Sequence, residues 1–394
     1  VSNATATVQP AASRERRHLF RASSAVGWVT ALACFLLFVF AADRVLHAAF
    51  LPAVIQRIWV TGAQPSAIGG QWVVALLLGL AHLIPGVGPE LLVVITAVTA
   101  ATILGVFAAL LRRRNWPVWE ATLAALLVAL HPVMLWLATT GQPALLATVV
   151  VGMLILSLDR AEAIGDAQSL MGLGISAALL FLISPNAIYV VLPVLMLLPV
   201  ALRGMDSAGA ALSLLLLTVI PSFVVVGGIL VATISIGLDA SEVLRLWSAP
   251  LHGSRNVSQL STPFLAAFGG RFFASFWVML GLSFLAVPTV ALVAVRLITR
   301  HTERERPATA LLTLLLAPFG GAAVMMAMHQ NSPIIALAYT MAASMAWLTT
   351  TNVSKRERVA WLLLMAAGDA VTLYLPWVWE GQNGAWLRAL LGGG

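Results

Sequence analysis

The sequence is poor in charge: of 394 residues only 9% are Asp, Glu, Lys or Arg, while 60% are hydrophobic and the mean hydropathy is +0.97. Soluble domains carry about 25% charged residues, so a water-soluble globule is excluded. Lysine is almost missing: Lys355 stands alone, and the other 21 of the 22 basic residues are arginine. The net charge of +7 therefore does not indicate a nucleic-acid partner, which needs cations clustered on one polar face. These arginines sit instead in short runs between apolar stretches. A single cysteine, Cys34, lies inside the first apolar run and permits neither an internal disulfide nor a cysteine-based metal site. No G-x-x-x-x-G-K-[ST] motif occurs, which excludes self-contained ATP-driven transport. No soluble domain is inserted and no block of spans repeats, which gives little support to a transporter built from two halves.

What the chain has is apolar runs. They fall at about 26–43, 90–111, 118–139, 143–158, 169–185, 187–202, 209–236, 272–297, 309–328, 333–350 and 359–377. A helix needs about 20 apolar residues to cross a bilayer, so these predict an all-α, polytopic membrane protein of about eleven spans. A twelfth stretch, 71–87 (QWVVALLLGLAHLIPGV), is short and closed by Pro85, Gly86, Gly88 and Pro89. Its status sets the side of everything after it.

The distribution of arginine decides between the two topologies. If 71–87 does not cross, 16 of the 22 basic residues fall on one face: those at 14–21, 112–114, 160, 203, 296–306 and 355–358. The other face keeps Arg44, Arg57, Arg245, Arg255, Arg271 and Arg388. By the positive-inside rule the N-terminus is cytoplasmic, the C-terminus is outside, and 71–87 is an outer juxtamembrane or re-entrant helix. Residues 1–25 then form a polar cytoplasmic tail, 26–377 the transmembrane domain, and 378–394 an outer tail. The F-A-A-D around Ala41 is a poor cleavage site, so the first run is expected to be an uncleaved signal anchor rather than a signal peptide.

Two outer segments, 43–89 and 237–270, are long enough to build a site. The first contains an amphipathic stretch, HAAFLPAVIQRIWV, suited to lying in the membrane surface. A first span, an outer loop opening on an acid, and a second span ending in a basic cluster resemble the GT-C superfamily of polyprenyl-phosphate-sugar-dependent glycosyltransferases. The protein mannosyltransferase and aminoarabinose transferase types are the members meant. The segments 121–161 and 169–202 are similar to that family's third to sixth spans, and the eleven-span topology matches its mannosyltransferase branch. The resemblance implies an enzyme of the bacterial inner membrane that moves a sugar from a polyprenyl phosphate to an acceptor on the outer face. A carboxylate in the first outer loop would serve as general base.

Asp43 is the position that matches that base, being the only acid between the first span and Glu90. An acceptor oxygen must lose its proton as it attacks, so a base must stand within hydrogen-bond reach. Alternatively Asp43 ends the first helix beside Arg44 as a local ion pair. Glu90, Asp239 and Glu242 are candidate ligands of a divalent metal or of the acceptor. Arg57, Arg255 and Arg271 are candidates for the lipid phosphate, which suits a planar guanidinium, unless they only snorkel toward headgroups. Trp59 and Trp247 are candidate sugar contacts and His82 a candidate substrate contact. His47, His252 and His329 share the outer face without ligand-like spacing. The remaining tryptophans near span ends, including Trp28, Trp116, Trp119 and Trp386, are expected to be interfacial anchors. His131, before Pro132, reads as a hydrogen-bonded kink, and Asp369 is an acid inside the last span.

The family often has a second acid near the first, or one after the third span, where this chain has Thr139, Thr140, Gly141 and Gln142. A catalytically silent subunit packed against other membrane proteins is therefore the second reading. A transporter or flippase is the third.

Overall fold

The structure, a computed structural model, describes residues 9–46, 78–86, 88, 90–142, 144–183, 187–201, 208–235, 276–299, 307–326, 332–374 and 382–391. Among the described residues every regular element is a helix. In chain order these are α1 (Gln9–Leu46), α2 (Glu90–Arg113), α3 (Val118–Leu130), α4 (Pro132–Thr139), α5 (Ala144–Ile164), α6 (Ala167–Ile183), α7 (Ala187–Ala201) and α8 (Ala208–Ser235). They continue as α9 (Phe276–Ala286), α10 (Pro288–Ile298), α11 (Pro307–Met326), α12 (Ser332–Thr350), α13 (Lys355–Leu373) and α14 (Gln382–Leu391). α1 starts at Gln9, so the helix of the first span runs back through the arginine-bearing segment expected as a tail.

Among the described residues four helices are long and apolar enough to cross a membrane: Ser23–Val45 within α1, α2, α5, and Leu215–Ala232 within α8. Two bent pairs raise this to six if each is one span. The expected run 118–139 is α3 and α4, bent by 68° at His131, as the His-Pro pair predicted. The expected run 272–297 is not one straight helix: α9 and α10 meet at 104° across Val287. Pro288 explains this second break, since it has no N–H and disfavours helical backbone at the residue before it. Four further apolar helices, Ala167–Ile183, Val190–Ala201, Pro307–Pro318 and Ile334–Thr350, have 10–17 residues.

α12 is the axis of the bundle. Ile334, Leu337, Met341, Met345 and Leu348 join the cluster built by α1–α4, α9, α10, α13 and α14. Tyr339, Ala342, Ala343 and Ala346 join a second cluster built by α5, α6, α7 and α11. A helix apolar on all sides is stable only when surrounded, and α12 is. α8 is the opposite case: it packs on α6, while Phe223, Val224 and Val231 on its other side are exposed, as suits a helix facing lipid.

Close helix contacts rest on small residues. A Cβ on Gly105 would sit 2.6 Å from the Gly27 carbonyl oxygen and 2.7 Å from Ala31 Cβ. One on Gly27 would sit 2.9 Å from the Gly105 oxygen and 3.0 Å from Ala109 Cβ. The Gly-x-x-x-Ala steps 27–31 and 105–109 thus form the α1–α2 seam, the arrangement by which helices associate in lipid without a hydrophobic driving force.

Candidate functional site

The seam fixes where the first acids stand. The early part of α1's apolar run meets the late part of α2, so the two helices are antiparallel. Asp43 lies 16 residues up α1 from Gly27 and Glu90 lies 15 residues down α2 from Gly105. At 1.5 Å per residue these are climbs of about 24 and 22 Å, which bring both acids to one end at one level. Both are exposed, and Glu90 occupies the first turn of α2, where an acid complements the helix dipole. The Arg44 guanidinium turns back over the Phe40 ring, 4.8 Å from its centroid. His82 is exposed, and its Nδ1 donates to the Leu78 carbonyl at 2.7 Å, which fixes its tautomer. The same end holds the end of α4, where Thr96 donates to the Ala138 carbonyl at 2.9 Å and Gly141 turns with φ +65° against Leu92. α14 closes over it, the Trp386 indole N–H donating to Thr139 at 3.0 Å.

Arg57, Trp59, Asp239, Glu242, Trp247, Arg255, Arg271, His47, His252 and His329 lie outside the described residues. Among the described residues no three His, Cys, Asp or Glu side chains are grouped to hold a metal, and Glu90 belongs to no such group.

The opposite end is a network of arginines. Arg296 donates to both carboxylate oxygens of Glu357, at 2.9 and 2.8 Å, and to the Asn352 carbonyl at 2.9 Å. Glu357 also closes a capping box with Ser354 at the start of α13. Burial opposes its charge, but the hydrogen bonds from Arg296 and Ser354 and the guanidinium charge outweigh it and hold the carboxyl at about 2. Arg358 pairs with Glu120 at 2.9 Å, lies 5.5 Å over the Trp116 ring, and reaches the Asn115 carbonyl at 3.4 Å. Arg114 donates to the Thr349 carbonyl at 2.7 Å. Glu162 accepts from the backbone N–H groups of Ala308 and Thr309 at 2.7 and 3.0 Å, capping α11 from α5. Asp166 caps α6 through Ser169, and those hydrogen bonds lower its pKa. Two expected interfacial anchors are corrected: Trp116 and Trp386 are 0% and 1% exposed, because Trp116, at this end, packs under Arg358 and edge-on to Trp361, while Trp386, at the other, packs in the core and donates its indole N–H to Thr139. Trp28 and Trp119, at 75% and 60% exposed, fit the anchor reading.

Between the two ends the helix breaks meet. The His131 Nε2–H donates to the Ala286 carbonyl at 3.2 Å, while its Nδ1 accepts from the Val133 N–H at 3.3 Å. Both ring nitrogens are thereby used, and His131 holds one break to the other rather than serving as a base. Pro132 and Pro288 leave the Val128 and Phe284 carbonyls without the amide that a continuous helix would supply. Gly368 fits against the same break: a Cβ there would lie 2.8 Å from the Leu285 oxygen and 3.1 Å from the Ala286 oxygen. Asp369 follows it, half-buried, with Oδ1 buried and without a hydrogen-bond partner among the described residues. His131 lies eleven residues past Glu120, and Gly368 eleven past Glu357. About 16 Å along each helix is near the middle of a hydrocarbon core about 30 Å thick.

Sequence reasoning found the kink at His131 and the acid at Asp369. It missed the break at Val287, although Pro288 inside an apolar run was the available signal, and the Arg296–Glu357 and Arg358–Glu120 pairs, whose partners are 61 and 238 residues apart. No family model, curated protein or solved structure matches this chain.

Proposed function

We propose that the chain is an eleven-span protein of a bacterial inner membrane, with the arginine end in the cytoplasm and the C-terminus outside. It acts there as a GT-C-like glycosyltransferase on the outer face. The observation that supports this reading is the α1–α2 seam, which brings Asp43 level with Glu90 at the end away from the arginine network. In the proposed reaction the Asp43 carboxylate takes the proton of an acceptor hydroxyl as its oxygen attacks the anomeric carbon of a sugar carried on polyprenyl phosphate. The bond to the phosphate breaks with inversion, and an arginine of the outer loops or a divalent metal would take the charge of the departing lipid phosphate. Transfer of sugar from lipid-linked donors, followed by mass spectrometry in membranes carrying wild type or Asp43→Asn, tests it. Loss of transfer in the variant at equal expression is the expected result. Undiminished transfer removes Asp43 from the mechanism. No transfer by either protein, with co-purification of a stoichiometric partner, favours the silent-subunit reading.

The transporter, the third reading of the sequence, draws support from the joined helix breaks. Discontinuous helices that expose carbonyls near the bilayer middle are where many transporters bind their cargo, and an acid in that position is a functional suspect. Flux into proteoliposomes that depends on Asp369 and not on Asp43 would favour it.

A further inference from the structure

We propose that Asp369 and the broken carbonyl end of α9 form a binding site, near the middle of the bilayer, for one hard monovalent cation of the sodium type. The inference rests on the transporter reading, whose cargo class it names, but binding is measurable apart from flux. Asp369 faces inward. Met365 and Thr372, four residues before it and three after, are buried on the same face of α13, while Leu363 and Leu364 on the far side are exposed. The Asp369 Oδ1 is buried and has no hydrogen-bond partner among the described residues. A lone carboxylate in such a place needs a counter-charge or a proton, because burying an uncompensated charge costs more than a fold can supply.

The backbone beside it adds negative charge. Gly368 admits α9 so closely that a Cβ there would lie 2.8 Å from the Leu285 oxygen. α9 ends at that point, bent by 104° from α10, and the last carbonyls of a helix carry partial negative charge. Pro288 also removes the amide that the Phe284 carbonyl would have bonded. Among the described residues no cation answers this. α13 packs on α3, α4 and α10, and its Gly368 on the end of α9. α4 and α9 carry no ionisable side chain. His131, between α3 and α4, is neutral, since its Nε2–H donates to Ala286 while its Nδ1 accepts from Val133. Arg296 and Arg358 pair with Glu357 and Glu120 at the arginine end, where Lys355 and Arg356 are exposed. Arg358, the nearest of these along α13, is eleven residues or about 16 Å from Asp369. Tyr374, past Asp369, is exposed. A carboxylate with carbonyls is a hard oxygen donor set, and its single charge matches a monovalent ion. No group of three His, Cys, Asp or Glu is present among the described residues to hold a divalent one. A proton competes for the same carboxylate.

The test uses the full chain in nanodiscs, with thermal stability read in sodium chloride and in choline chloride of equal concentration from pH 6 to 9. Wild type is expected to melt higher in sodium, by a shift that grows with the logarithm of its concentration. The half-saturating concentration should rise by about tenfold per pH unit at the acid end, where the proton competes. Asp369→Asn should lose the sodium shift while melting in choline no lower than wild type, which verifies its fold. Glu90→Gln, at the opposite end from the arginines, should keep the shift. No sodium shift in wild type at any pH, or one that survives in Asp369→Asn, overturns the proposal. So does an Asp369→Asn that melts lower than wild type in choline, since the carboxyl is then structural. Sodium binding without flux in proteoliposomes removes the transporter reading and leaves the site standing.

Discussion

Breaking the Glu120–Arg358 pair should cost far more than an ordinary salt bridge, and by an amount that depends on which partner remains. The Glu120 side chain is 2% exposed and that of Arg358 14%, with Nε and Oε2 at 2.9 Å. Exposed pairs contribute about 0–1 kcal/mol, but removing one member of a buried pair strands the other charge at about 3–5 kcal/mol. Glu120→Gln leaves Arg358, among the described residues, with the Trp116 ring and the Asn115 carbonyl. Arg358→Met strands the carboxylate and also loses the cation–π contact, about 0.5–2 kcal/mol more. The double variant strands neither charge, so its cost should fall short of the sum by about 2–3 kcal/mol. Reversible unfolding in mixed micelles of rising SDS content, followed by circular dichroism and tryptophan fluorescence, measures all four proteins. Additivity within about 0.5 kcal/mol, or single costs below about 1 kcal/mol, would refute a buried pair joining α3 to α13.

Glu357 makes stability acid-sensitive. Its carboxyl is held at about 2 against an ordinary 4.5, so its contribution is complete above pH 4.5 and drains away as pH falls toward 2. The stability gap between wild type and Glu357→Gln should therefore be flat from pH 7 to 5 and close below it; a gap that stays open at pH 2 contradicts the assignment. Gly105→Ala puts a methyl 2.6 Å from the Gly27 oxygen, forcing α1 and α2 apart at a cost of about 1–3 kcal/mol in the same unfolding assay, while Gly152→Ala, in open space on α5, should cost nothing. In a Cys34→Ala background, cysteines at 113 and 356 should react with a membrane-impermeant reagent from one side, and cysteines at 90 and 388 from the other. Labelling of 90 and 113 from the same side would break the proposed topology.

The sequence carried the helices but not the bundle's contacts. Apolar runs show where a chain can be helical in lipid because every backbone group must be satisfied within the segment. The kink at His131 was legible from His-Pro, and the α1–α2 seam was latent in two Gly-x-x-x-Ala steps that only the structure sets face to face. Ion pairs across 61 or 238 residues leave no local trace, and an acid beside an arginine looks the same whether paired to it or to a distant helix. Trp116 shows the limit plainly: its position at a span end read as an anchor, while its neighbours Arg358 and Trp361 make it core.

The bonds at the arginine end also constrain how often the chain crosses. Helix ends that touch lie on one face, so an even number of crossings separates them. If α1 and α2 both span, their seam puts the end of α1 with the start of α2, and an even number of crossings is required between them. This argument does not use charge, yet it agrees with the distribution of arginines. Glu162 caps α11, and Arg296 reaches Glu357, so the ends of α5 and α10 share a face through the short connection at 299–306 and the pair α11–α12. Between 162 and 296 stand α6, α7, α8 and the bent pair α9–α10. If the bent pair crosses, the number is four and the parity closes. If it enters and leaves by one side the number is three, and a further crossing is required somewhere within 236–275. The bend of 104° therefore turns on that loop: a cysteine at 255 accessible from the side of residue 90 keeps α9–α10 a crossing pair, and one accessible from the side of residue 113 makes it re-entrant.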